Sequence, residues 1–231
     1  MMIAGTRDDH DQGIETMIGR GRVLRSALVL MLLLWGAAGA KEASPLDRFS
    51  REQREKLLAG EVVYEYINYE GREKEEKGLG HGQACVIVHK PVDVCWSIMT
   101  DFSRKKEYFP RVAASEVVKR ESNKVWVREV LDFGITDIEY VMVQSMDPKK
   151  LRSKFFLDPA YQHDLEDTHG FWYWEKINDT SSLLTYAVIK VNVGIPVPEF
   201  IVKALSSRDL PGIAENIKKR VESDGKWRKS D

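Results

Sequence analysis

The sequence predicts an α+β fold: one antiparallel sheet whose apolar face is covered by a helical segment at the C-terminal end. Three observations predict it. First, from about residue 112 to 194, apolar runs follow one another through short turn sequences: Glu121-Ser122-Asn123, Gly134, Asp147-Pro148-Lys149 and Asn178-Asp179-Thr180. Strands joined this tightly run antiparallel, because a parallel return needs a crossover of about a dozen residues or more. Second, several of these runs alternate apolar and polar residues, so the sheet has an apolar face that must be covered. Third, the final segment carries Phe200, Ile201, Ala204 and Leu205, then Ile213, Ile217 and Val221 at steps of four. That is a helical stripe long enough to cover a curved sheet.

The elements follow in order. Arg20, Arg22 and Arg25 precede a leucine-rich run from Ala27 to Trp35, and Ala38-Gly39-Ala40 is an A-x-A cleavage site. The apolar run falls short of the roughly 20 residues of a membrane span. Residues 1–40 therefore read as a signal peptide, with a possible true start at Met17 and a mature chain from Lys41. The expected localisation is periplasmic or secreted. Residues 41–59 form a helical lead-in, opened by the capping box Ser50-x-x-Gln53 and stopped near Gly60. Glu61 to Tyr69 alternates as a strand, and the charged, Gly-rich run Gly71 to Gly82 reads as a turn or hairpin tip.

A second strand runs to Pro91. A short helix follows, with Val92, Cys95, Trp96 and Met99 at i, i+3, i+4 and i+7. Pro91 suits the first turn, where its missing N–H has no partner. Strands are then expected at about 112–120, 123–133, 136–146, 150–157, 165–177 and 182–194. Pro211 should make the C-terminal helix kink or restart, with Asp209 as the cap of a restart. Residues 60–225 form the main domain and 226–231 a tail.

Alternation nominates the inward-facing residues. Ile138, Tyr140 and Met142 share a face, as do Leu151, Phe155 and Leu157. Thr185, Ala187, Ile189 and Val191 are placed together, and Trp172 and Trp174 inward. Glu129 has the parity of Val125, Val127, Leu131 and Phe133. Either it enters the apolar interior, where a carboxylate must be paired or shift its pKa, or a bulge flips the register and puts Trp126 inside.

The chain of 231 residues has a formal net charge of −1, with 35 Lys+Arg against 36 Asp+Glu. Nothing in that balance marks a nucleic-acid binder. The basic run Lys218-Lys219-Arg220 and the tail after Lys226 read as a solvated helix end. Cys85 and Cys95 are the chain's two cysteines. Cys85 lies in the strand about six residues before the Pro91 turn, too far for a bridge, so both are expected as buried free thiols. His81, His89, His163, His169, Asp158, Asp164 and Glu129 form no triad, phosphate loop or zinc motif, so neither a cofactor nor a metal is expected.

The strand, Pro91, the Trp96 helix, Asp101 and the loop Tyr108-Phe109-Pro110 resemble the START/SRPBCC superfamily of lipid-transfer, coenzyme Q-binding and polyketide-cyclase-like proteins. Gly170-Phe171-Trp172, Thr185-Tyr186, Val197-Pro198-Glu199-Phe200 and the closing run Leu210 to Glu222 continue the resemblance. It covers roughly residues 60 to 224. It implies a helix-grip (START/Bet v 1-like) fold, a curved antiparallel sheet wrapped around a long C-terminal helix, with a ligand cavity between them. The expected function is binding or carriage of a hydrophobic small molecule, such as a lipid or isoprenoid quinone, with transient membrane contact. The alternatives are a cyclase- or hydrolase-like enzyme on the same fold, or an interaction domain with a filled core. The cavity candidates are Trp96, Glu129, Tyr140, Met142, Phe155, Trp172, Ile201 and Leu205, and no catalytic residue is nominated.

Overall fold

Among the described residues, eight strands form an open, curved antiparallel sheet: β1 (Val63–Tyr66), β2 (Gly82–Val88), β3 (Val112–Glu121), β4 (Lys124–Asp132), β5 (Asp137–Asp147), β6 (Arg152–Leu157), β7 (Leu165–Asn178) and β8 (Ser181–Val193). Their order in the sheet is β1-β2-β8-β7-β6-β5-β4-β3. The structure, a computed structural model, describes residues 43–66, 82–198, 201 and 209–230. The expected signal peptide, Met17, most of the Gly71–Gly82 turn, Phe200, Ala204 and Leu205 lie outside these residues.

The tight turns make β3 to β8 a meander. Between β2 and β3 the chain leaves the sheet through α2 (Val92–Met99) and a 3₁₀ turn, Phe102–Glu107. Pro91 stands just before α2, at φ −55° and ψ 147°, rather than inside its first turn. The last helix, α3 (Leu210–Glu222), starts afresh with Pro211 in its first turn. The expected restart therefore occurs. Asp209 holds the cap position, but its carboxylate binds Arg111 instead of capping.

The main core lies on the inner face, under α2 and α3. Ala84, Val86 and Val88 of β2 meet Val125, Val127, Ile138, Tyr140, Phe155, Trp172 and Trp174, with Ala214, Ile217 and Val221 of α3 above them. A smaller core lies on the other face. There α1 (Arg51–Leu58) and the turn before it place Leu46, Phe49 and Leu57 against Val63, Cys85, Ile87 and Leu183. The Ser50 capping box forms in both directions: Gln53 N–H donates to Ser50 Oγ (3.2 Å) and Ser50 N–H to Gln53 Oε1 (2.9 Å). Cys85 and Cys95 are free and buried, one in each core.

Two expectations need correction. In β8, Leu184, Tyr186 and Val188 face the main core. Thr185 faces the other way, accepting a hydrogen bond from Arg48 Nη2 at 3.0 Å, and Ala187 shares its parity. Both faces of β8 are covered, so residues 183–188 form one apolar run without a polar face to set the parity. Pairing then jumps from Gly170↔Val188 to His169↔Lys190, so Ile189 is a bulge that returns Val191 to the inner face. The basic C-terminal end is also not simply solvated. Arg220 is buried, donating to Glu107 Oε2 (2.6 Å) and to the Trp227 carbonyl (2.8 Å). Lys229 Nζ donates to the carbonyls of Phe109 (3.0 Å) and Val112 (2.8 Å). The tail is thereby bound back onto the aromatic loop.

Candidate ligand cavity

Glu129 enters the interior. The β4–β5 register runs unbroken from Lys124↔Ser145 to Asp132↔Asp137, while the bulges beside β4 fall in β3. Trp126 therefore faces outward, packing with Val141 and Val143 and donating its indole N–H to Asp158 (2.7 Å). Glu129 itself is 2 % exposed. Its carboxylate accepts from Lys105 Nζ and from the Tyr140 hydroxyl, the latter at 3.1 Å.

Lys105 reaches Glu129 because of the 3₁₀ turn. With three residues per turn, positions i and i+3 eclipse. Phe102, Lys105 and Tyr108 are thus stacked on one side, and all three are buried. Ser115, the β3 partner of Glu129, donates to the Phe102 carbonyl (2.6 Å) and pins the turn over the sheet. The Lys105 ammonium also lies 4.4 Å from the centroid of the Phe109 ring.

Lys105, Phe109 and Glu129 line a cavity of about 100 Å³. Leu131, Tyr140, Met142 and Phe155 wall one side. Leu165, Thr168, Tyr186, Val188 and Val191 wall the other, and Pro110, Val112 and Ile213 lie at its edge. Gly170 shapes the wall. A Cβ there would lie 2.2 Å from the Ala187 carbonyl oxygen and 2.4 Å from the Phe155 ring. Its absence lets Phe155 lie across β7 and stack on Tyr186 at 5.7 Å. At the edge, Arg111 Nε donates to Asp209 Oδ2 (2.8 Å), and its guanidinium lies 4.9 Å from the Phe133 ring centroid. Arg111 adopts φ 59°, a left-handed conformation uncommon for a residue with a side chain.

The electrostatics follow from burial around one carboxylate. Burial, then the Glu129 charge and its hydrogen bond, holds the Tyr140 phenol well above its ordinary pKa. Burial and the same charge raise Tyr186. Both phenols therefore stay protonated and able to donate.

Of the residues expected at a cavity, Glu129, Tyr140, Met142 and Phe155 meet here. Trp172 lines a smaller neighbouring void of about 10 Å³, room for about one water, together with Gln144, Lys105 and Tyr186. Its indole N–H donates to Gln144 Oε1 (3.4 Å). Trp96 packs on Trp172 with ring centroids 5.1 Å apart, and Ile201 is buried in the main core. Neither is among the described lining residues of the two spaces. Leu205 lies outside the described residues. Lys105, Arg111, Thr168 and Tyr186 were not anticipated. The spacing Phe102, Lys105, Tyr108 is the signal that could have found Lys105.

His163 and His169 bind their own surroundings: His163 Nδ1 lies 2.6 Å from the Leu165 carbonyl and His169 Nδ1 3.5 Å from Asp167. Among the described residues no group of three or more His, Cys, Asp or Glu could hold a metal ion.

No family model and no curated protein matches the sequence. Solved structures do match the fold. A STAR-related lipid transfer protein from Xanthomonas axonopodis is 14% identical with a TM-score of 0.55, over 69% of this chain and 98% of that one. A START superfamily protein from Mycobacterium smegmatis is 21% identical with a TM-score of 0.52, over 62% and 99%. Human StAR-related lipid transfer protein 5 is 12% identical with a TM-score of 0.51, over 68% and 88%. The chain thus has the START/SRPBCC-like helix-grip fold.

Proposed function

We propose that the protein binds a hydrophobic small molecule between its sheet and α3, and that it does so as an exported carrier. The observation that carries the reading is the cavity itself: a mostly apolar space on the inner face of the sheet, with a few polar groups among its walls. Three structures of the same fold described as START or lipid-transfer proteins support it. Removal of apolar ligand surface from water supplies the affinity, at about 25 cal/mol per Å² before ordering terms are subtracted. An enclosed ligand can then cross an aqueous compartment. The leader-like residues 1–40 support export, and collection from a membrane surface would be transient.

The walls leave about 100 Å³, somewhat less than the roughly 150 Å³ apolar cavity that takes a benzene, so a single ring fits only with a small outward give of the walls. A longer ligand requires α3 to shift from the sheet. The Arg111–Asp209 pair is one tie to be undone, with side chains 39% and 27% exposed. Pairs that wet contribute about 1 kcal/mol or less.

The test is solvent extraction and mass spectrometry of protein purified from its native compartment. One apolar compound near equimolar amounts is expected. An empty protein that also takes up no added apolar probe would overturn the reading. A second reading, an enzyme of the cyclase or hydrolase kind, is favoured by the meeting of Lys105, Glu129 and Tyr140 in one cavity. Recovery of a chemically altered form of an added ligand would support it.

A further inference from the structure

Among the described residues, the charged ones lining the cavity are Lys105, Glu129, Arg111 and Asp209, and they pair off as Lys105–Glu129 and Arg111–Asp209. Neither cation is left over for a ligand. An anionic head placed beside Glu129 would meet a like charge in a medium of low dielectric, where repulsion is strong and dehydration is uncompensated. A cationic head would find both carboxylates already occupied.

What remains among the described lining residues is uncharged. Tyr186 and Thr168 are 6% and 5% exposed and line the same space. No hydrogen bond joins either hydroxyl to another described residue. Both hydroxyl oxygens are accessible from the cavity, so a ligand oxygen entering it can take the place of the water each would otherwise bind. Tyr186 keeps its proton, so it offers a donor.

From these observations, and resting on the reading of this cavity as a binding site, we infer that the site selects a neutral compound: an apolar body carrying a carbonyl or similar uncharged acceptor oxygen, held by the Tyr186 and Thr168 hydroxyls. Carboxylates and phosphates are excluded from the interior. The Lys105–Glu129 pair acts as the filter, because each member cancels the other's attraction for an opposite charge.

Three one-ring probes of similar size test this: acetophenone, α-methylstyrene, in which =CH₂ replaces =O, and benzoate. Their binding is measured by ligand-observed NMR titration at pH 7.5. Acetophenone is expected to bind at least ten-fold more tightly than either of the others. Tyr186→Phe with Thr168→Val should reduce acetophenone to the affinity of α-methylstyrene and leave the latter unchanged. Glu129→Gln, by freeing Lys105, should raise benzoate affinity at least ten-fold. Should that variant fail to fold, the wild-type ranking and the hydroxyl variant still decide. Equal binding of acetophenone and α-methylstyrene would sink the oxygen inference while leaving apolar binding intact. Benzoate binding as tightly as acetophenone would sink the charge filter. Binding of none of the three would overturn both this inference and the binding function beneath it.

Discussion

Lys105 and Glu129 form an ion pair with side-chain exposures of 5% and 2%, one from a 3₁₀ turn and one from the middle of a strand. Two opposite charges removed from water together are close to neutral in their effect on stability. One removed without the other is not.

Glu129→Leu alone should therefore lower unfolding free energy by about 3–5 kcal/mol, as should Lys105→Met. The double variant should recover most of that loss. Urea denaturation checks this, and a double variant no better than either single would show that the two residues do not act as a pair.

Alkaline pH should unfold the protein early. Burial raises the folded pKa values of Tyr108, Tyr140 and Tyr186, with the Glu129 charge adding to it for Tyr140 and Tyr186 and the Arg220 charge opposing it for Tyr108, and burial pushes the Cys95 thiol up to about 11. Unfolded, a thiol ionises near pH 9 and a phenol near pH 10, while the folded protein still holds those protons. Stability is thus fully present below about pH 8.5 and falls as pH rises. Each retained proton adds at most about 1.4 kcal/mol per pH unit to the slope. Tyr140→Phe should make the slope shallower by one such step. Stability that stays flat from pH 8 to 11 would contradict the assignment.

Gly170→Ala should disrupt the cavity wall. The added methyl meets the Ala187 carbonyl oxygen, a backbone atom that cannot swing away, and displaces Phe155 from Tyr186. A loss of about 1–3 kcal/mol is expected, with weaker uptake of acetophenone. Unchanged stability and uptake would show that Phe155 does not depend on this gap.

Val191→Phe fills the cavity from β8. With real space there, the variant stays folded and loses ring-sized probes. In a solid interior the same change would overpack, lowering stability by about 1–3 kcal/mol. Thermal unfolding beside probe titration separates the two results.

Both thiols should be silent to a disulfide reagent in the native protein, and two should appear in urea without reductant. They are free and buried on opposite faces of the sheet. One or no thiol in urea would mean a covalent partner.

Where one face of a strand was charged, alternation read the interior correctly. Asp137 and Glu139 flank Ile138 and Tyr140, and the inner face of β5 follows from them. Parity with Val125, Val127, Leu131 and Phe133 nominated Glu129 but left a register-flipping bulge open, and the unbroken β4–β5 register decides for the interior. In β8 alternation failed. Leu183, Leu184, Tyr186 and Ala187 are apolar on both sides because α1 and the turn before it cover the second face, and the Ile189 bulge shifts the count by one. Lys105 escaped because a lysine in a charged run reads as solvent-facing, and neither the α nor the β period detects a three-residue repeat. Arg220 escaped for a related reason. Its partner, Glu107, is 113 residues away along the chain, beyond the reach of any local pattern.

The place of β2 beside β8 carries a kinetic consequence. Cys85 and Thr185 touch across these strands although 100 residues separate them. β2 leaves the first part of the chain early, yet its ladder partner is the last strand to be made. Until β8 arrives, β2 presents an open edge and an unsheltered apolar row, both prone to pairing with other chains. Contacts this distant in sequence slow the search for the native state, into the millisecond-to-second range of sheet-rich domains. Refolding from urea should accordingly become less efficient as protein concentration rises, with single-exponential recovery at the lowest concentrations.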